Sequence, residues 1–205
     1  MEAEFNQNDI KFLAKSLKSR VLEFNRNETI LTDTSDENKI AFVLSGVVYL
    51  CSENDLYERS ILRFFREGEM LSTHMLPDEA LGVSYFIAKT PVSVVIFSRD
   101  DVWALAASGS AWRDKLSALM STQLEKAFAH SSIISHQRSI RERVIMFLKQ
   151  QSLEQGSATV NIPMPFSDLA EYLATERSAL MRELGKMKQD GIITGKNRTI
   201  TLLKE

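Results

Sequence analysis

The chain has a single cysteine, Cys51, in 205 residues. No apolar run in it approaches the roughly 18 uninterrupted residues that a membrane span needs. One cysteine cannot close an intrachain disulfide, and no Cys-rich metal or iron–sulfur pattern is present. The opening MEAEFNQNDIKFL lacks the basic-then-apolar order of a secretory signal. Gly-x-Ser-x-Gly, the phosphate-binding loop and the dinucleotide fingerprint are all missing. The expectation is a cytoplasmic protein with no membrane partner, no metal, no cofactor and no catalytic residues.

The charge of −2 conceals an asymmetry. Residues 133–205 carry 11 Lys/Arg against 8 Asp/Glu, and residues 1–132 carry 14 against 19. The sign suits a C-terminal part that meets a polyanion and an N-terminal part that does not.

From the N-terminus, Ile10, Leu13, Ala14 and Leu17 stand at helical spacing and predict a short amphipathic helix over Asp9–Ser19. The period then changes. Val21–Phe24, Thr29–Leu31, Ile40–Cys51, Ser60–Phe65 and Val92–Phe97 are β-prone, punctuated by turn residues at 25–27, 45–46, 52–56, 67–69 and 76–79. Such a series predicts an antiparallel barrel or jelly roll. A metal-binding enzyme on that scaffold would need several converging histidines, and the region supplies only His74. Ser98 or Asp100 can start a helix after the last strand. A longer one is expected over 111–131, where Trp112, Leu116, Leu119, Gln123, Ala127 and His130 recur at spacings of 3 or 4, flanked by Met120, Leu124 and Phe128. That seam is broad enough to pack on the barrel and also pair with its twin across a two-fold axis. Residues 133–137 are expected to form a hinge.

The last third of the chain has the pattern of a winged helix-turn-helix. Ser139–Gln151 is helical, with Ile140, Val144, Phe147 and Leu148 on its buried face, and Ala158–Ile162 is a strand. Pro163 and Pro165 interrupt regular structure before Ser167, the expected N-cap of a helix whose packing residues are Leu169, Ala170, Tyr172 and Leu173. Thr175 is expected to cap the second helix, Glu176–Asp190, with Leu180, Leu184 and Met187 inward. Gly191 is placed to take the left-handed conformation after it. Ile192-Ile193 and Thr199–Leu203 read as wing strands around the turn 195–198.

Such a module puts the amino-terminal end of its second helix into the DNA major groove. Arg177, Ser178, Met181 and Arg182 lie there, away from the buried stripe, and are the candidate base contacts. Ser167, Thr175, Lys196 and Arg198 are the candidate phosphate contacts. Lys186 and Lys188 are assigned to a solvated face.

The segment LAEYLATERSALMRELGKMKQDGII, preceded by a β-rich region and a long helix, resembles the cyclic-AMP receptor protein and fumarate–nitrate regulator (Crp-Fnr) superfamily of bacterial transcription regulators. The resemblance implies an α+β fold: a cyclic-nucleotide-binding-like β-barrel over 1–110, a dimerisation helix over 111–132 and a winged helix-turn-helix over 133–205. It also implies a homodimer paired through Trp112, Leu116, Leu119, Met120, Gln123 and Ala127, acting on a roughly palindromic site in double-stranded DNA, with RNA polymerase as a partner on activation. Two departures matter. In the family an arginine is followed by glutamate and, four positions on, by a second arginine; here the arginines are Arg177 and Arg182, and Ser178 stands at the glutamate position. The stretch 86–91, compared with the family's phosphate cassette, has no arginine, although Glu69, Lys89 and Thr90 remain candidates for an effector pocket. Lys89 lacks the bidentate fork that suits phosphate. Cyclic AMP is therefore not the expected effector, and lone Cys51 and His74 do not suit the cluster or haem of other members. An unidentified small molecule, an effector-independent regulator, and an interaction module whose winged helix mediates assembly are the open alternatives.

Overall fold

A computed structural model of the chain describes residues 6–32, 38–54, 56, 59–72 and 83–203. It divides into two compact units, Met1–Glu125 and Lys126–Glu205. In the first, helix α1 (Gln7–Ser16) opens on a capping box in which the Asn6 side chain and Asp9 bond each other's backbone N–H groups, and Ile10 and Leu13 face inward. Eight strands follow: β1 (Ser19–Phe24), β2 (Thr29–Thr32), β3 (Lys39–Ser45), β4 (Val48–Glu53), β5 (Arg59–Phe65), β6 (Met70–Ser72), β7 (Val83–Ala88) and β8 (Val92–Ser98). They pair antiparallel into two four-stranded sheets, ordered β1-β8-β3-β6 and β2-β7-β4-β5. This is the strand order of a double-sheet jelly roll.

The sheets enclose one apolar cluster that includes Val43, Leu50, Phe65, Phe86 and Val94. A second cluster joins Phe42, Val95 and Phe97 to α1, to Val102 and Ala106 of α2 (Arg99–Ser108), and to Leu116 of α3 (Ser110–His136). Strand β3 is therefore covered on both faces, and four consecutive residues, Ile40–Val43, are buried. A doubly covered strand loses the alternation of a half-exposed one, which is why Ile40–Cys51 reads as one run in the sequence. The chain reverses inside that run at Gly46, whose φ is +91° and where a Cβ would stand 2.3 Å from the Pro91 carbonyl oxygen. Strands β6 and β7 have no counterpart in the sequence reading, the first being only three residues long. His74 and the expected turn at 76–79 lie outside the described residues.

Helix α3 runs to His136, so the stretch expected to be a hinge is helical through that residue. Ile133, inside that stretch, is buried. In the second unit, α4 (Ile140–Gln155) starts on a Ser139–Glu142 capping box and ends at Gly156 with φ 60°. Strand β9 (Thr159–Asn161), α5 (Phe166–Tyr172), α6 (Arg177–Gln189), β10 (Ile193–Lys196) and β11 (Thr199–Leu202) complete it, with the strands in the order β10-β11-β9. Val144, Phe147, Leu148, Leu169, Leu180 and Leu184 are in its buried core. Tyr172 meets Phe147 edge-on and stacks on the His130 ring, 3.9 Å between centroids. Among the described residues no helix is long and apolar enough to cross a membrane.

Burial pushes the His130 imidazole below its ordinary pKa, against the opposing pull of a hydrogen bond to the Tyr172 carbonyl. A histidine buried in the neutral form contributes stability that is complete above its unfolded pKa of about 6.5 and is lost as pH falls through the folded value. The melting temperature should therefore fall as the pH is lowered through and below about 6.5, and His130→Gln should flatten that slope. Glu28 and Glu142, both held below the carboxylate range by hydrogen bonds, act only at lower pH. Thermal melts across the window decide it; an equal slope in the variant would assign the effect to another group.

Candidate nucleic-acid interface

Both helices of the helix-turn-helix end in the same way. After α6, Gly191 takes φ 67°, its N–H bonds the Lys188 carbonyl and the next N–H, of Ile192, bonds Met187. After α5, Ala174 takes φ 48°, its N–H bonds Glu171 and the Thr175 N–H bonds Ala170. These are two Schellman endings, the second with alanine where glycine is usual. A left-handed alanine costs about 1 kcal/mol, so other contacts must hold it. Three consecutive carbonyls supply them: His130 Nε2 meets that of Tyr172 at 2.8 Å, and Arg143 Nη1 donates to Leu173 and Ala174, both at 2.9 Å. Arg143 Nε also donates to the Gln137 carbonyl.

This ending corrects two cap assignments. Thr175 does not cap α6, because it closes the turn after α5; Glu176 is the cap residue and makes no side-chain cap bond. Ser167 lies inside the first turn of α5, after Pro165 as cap, and bonds the Asp168 carboxylate. Pro165, two residues before Ser167, holds the extended backbone (ψ 154°) from which the helix starts, so the serine already lies inside the first turn.

Helix α6 is pinned from behind. Arg141 of α4 bonds Glu183 at 2.5 Å and Asp190 at 2.8 Å, and the two carboxylates hold its guanidinium still more firmly in the charged form. Leu180, Leu184 and Met187 are buried on the inward side. The opposite side presents Arg177, Ser178, Met181 and Arg182, all exposed. Neither arginine makes an ion pair or hydrogen bond with another described residue. The carboxylates within α6 are thus engaged by α4, while its outer arginines keep their donors unused. Lys188 is tied down, donating to the Gly195 carbonyl at 2.9 Å and joining α6 to the wing. Lys196 and Arg198 flank Asn197, with φ 53°, at the exposed wing turn.

The long helix resolves differently from its sequence reading. Leu116 is buried in the first unit's core, with Trp112 and Leu119 packed against that core and Trp112 stacked on Phe12. Gln123 is buried too, its amide donating to the Met70 carbonyl and its own carbonyl accepting from Arg63. These four expected interface residues pack within their own subunit. The apolar residues exposed on α3 are Met120 (44%), Leu124 (57%) and Phe128 (64%), with Ala127 exposed beside them. Their spacing was visible in the sequence; which of two adjacent stripes would meet the barrel was not.

The candidate effector residues have structural work. Glu69 accepts from the Arg66 N–H and lies 3.6 Å from Arg63. Thr90 accepts from the Val47 N–H and donates to the Pro91 carbonyl, closing the corner around Gly46. The Lys89 ammonium stands over the ring of buried Tyr49. Cys51 is buried in β4. Among the described residues no group of three or more His, Cys, Asp or Glu side chains could hold a metal ion.

Residues 142–205 match the family model of the Crp-like helix-turn-helix domain. No curated protein sequence matches the chain at a significant level. Among solved structures, FixK2 from Bradyrhizobium japonicum is similar at 21% identity and a TM-score of 0.72, covering 92% of this chain and 94% of that one. A CooA mutant from Carboxydothermus hydrogenoformans is similar at 16% identity and 0.73, covering 91% and 84%. The c-di-GMP responsive global regulator CLP from Xanthomonas campestris is similar at 20% identity and 0.64, covering 96% and 98%. By sequence, residues 142–205 belong to the Crp-like helix-turn-helix domain family, and the described chain shares the fold of these solved structures.

Proposed function

We propose that the chain is a sequence-specific transcription regulator that reads a roughly palindromic operator as a homodimer. The observation that carries this reading is the state of α6: its buried stripe and the Arg141 bridges fix it from behind, while Arg177 and Arg182 stand exposed without partners among the described residues. Arginine can bond guanine at two acceptors, so these two are assigned to base edges together with Ser178 and Met181. Ser167, Thr175, Lys196 and Arg198 are assigned to phosphates. With Ser178 in place of a carboxylate, the helix lacks an acceptor there for cytosine N4, and the half-site differs accordingly from one read by glutamate.

The dimer is assigned to Met120, Leu124, Ala127 and Phe128, whose exposed apolar stripe suits a self-complementary two-fold contact. An apolar interior around Phe65, Phe86 and Val94 supports control that does not use cyclic AMP. An unidentified small effector and an effector-independent regulator are the two readings kept, and RNA polymerase is the partner implied wherever the protein activates.

Binding-site selection on random duplexes, followed by titration, tests the reading. Arg177→Ala should weaken operator binding by about tenfold to a hundredfold and leave non-specific binding nearly unchanged. Equal losses on both would make Arg177 a phosphate contact. Lys196→Ala should instead reduce the salt dependence of binding by about one unit of slope. For the dimer, Leu124→Glu should sediment as a folded monomer and lose the operator; an intact dimer would remove the stripe from the interface.

A further inference from the structure

The outer face of α6 holds two features that the arginines do not explain. Met181 is 43% exposed, a large apolar side chain one turn after Arg177 and Ser178 on a surface otherwise polar. One turn further, in the middle of the helix, is Gly185. A mid-helix glycine is destabilising relative to alanine, so it needs a reason. The protein supplies none: a Cβ at Gly185 would meet nothing within 4 Å, and its φ is not positive. The space that the missing side chain leaves open is therefore on the outside, on the same face as Met181 and Arg182.

We propose that Met181 reads the C5 methyl group of a thymine in the operator, and that Gly185 is the gap that lets the duplex approach α6 closely enough for it to do so. The thymine methyl is the one apolar group on the base edges of the major groove. A flexible, unbranched thioether is well suited to cover it. No carboxylate competes on this part of the helix, since Glu183 and Asp190 are held by Arg141. A side chain at position 185 would stand between the helix backbone and the groove, one turn from Met181, and keep the thioether from the methyl. The inference rests on the base-reading role of α6 proposed above and specifies the chemistry that it reads.

The test uses the full-length protein and its selected operator, in which each thymine is replaced singly by deoxyuridine, a change that removes only the methyl. One position per half-site should weaken wild-type binding about fourfold, and the same replacement should have no effect on Met181→Ala. Gly185→Ala should raise the melting temperature by about 4 °C and yet bind the operator at least tenfold more weakly, with non-specific binding unchanged. Stabilisation with loss of binding is a combination that a merely structural glycine would not give. The methyl reading is overturned if every thymine tolerates the replacement or if the penalty persists in Met181→Ala. The gap is overturned if Gly185→Ala binds as wild type does. A selection that returns no enriched sequence would remove base reading by α6 altogether, and this inference with it, and is distinguishable because no operator would then exist to substitute.

Discussion

The recognition helix has the position it has because three backbone carbonyls at the turn before it are satisfied by side chains from outside the turn. Ala174 is held left-handed, and the carbonyls of Tyr172, Leu173 and Ala174 point away from any helical partner. Tyr172 and Leu173 are buried, and a buried carbonyl left unpaired costs about 1–3 kcal/mol. Arg143 covers two of the three carbonyls with a charged donor, and His130 covers the third while stacking on Tyr172. The turn is thereby fastened to α4 and to the end of α3. Arg141, two residues before Arg143 on α4, fastens α6 itself through Glu183 and Asp190. With the helix fixed at its start, middle and end, its outer side chains need little ordering on contact with a ligand, and ordering is a main cost of binding.

Charge follows from the same arrangement. Counted along the sequence, α6 looks mixed, with Arg177, Arg182, Lys186 and Lys188 against Glu183. In the fold Glu183 and the adjoining Asp190 turn inward to Arg141, and Lys188 bends to the wing carbonyl of Gly195. What remains outward near the start of the helix is Arg177 and Arg182, with no partner among the described residues, beside the exposed cap residue Glu176. An electropositive edge on a rigid helix suits a polyanion. The first unit makes a complementary use of buried polar groups. Arg63 donates to the Gln123 carbonyl and Gln123 to Met70, tying the jelly roll to α3 through hydrogen bonds on the face that its apolar residues already pack.

Elements whose signal is local were legible before the structure. Gly191 was placed at the end of α6 because only that position after the periodic run needed a left-handed residue, and the Leu180/Leu184/Met187 stripe fixed which side of α6 faced in. The jelly roll showed in its turns, and the helix-turn-helix in two short apolar patterns around a break. Non-local choices were not legible. Ala174 carries no mark of a left-handed residue, because the strain is offset by Arg143, 31 residues away, and by His130, which meets the Tyr172 carbonyl from 42 residues away. Thr175 and Ser167 look like caps by composition, and the Schellman turn and Pro165 displaced both. On α3 the two apolar stripes are equally periodic. Periodicity gives a face without saying what meets it, so Leu116 and Gln123 read as an interface in the sequence although they pack on the barrel. The exposed Met120, Leu124 and Phe128 became the outward stripe only once the barrel was seen against the other side.

The proposed pairing of two subunits, each with a fixed reading helix, demands a fixed distance between the sequences they read. The most direct measurement is the affinity for the selected operator before and after insertion of five base pairs at its centre, half a helical turn, which rotates one half-site to the opposite side of the duplex. A two-fold reader built on α3 and α6 should lose most of its specific affinity on that insertion, and should not regain it when ten base pairs are inserted, which restore the phase but move the half-sites about 34 Å further apart. Affinity that is indifferent to the insertion would contradict it, and would mean that a single helix-turn-helix unit binds alone.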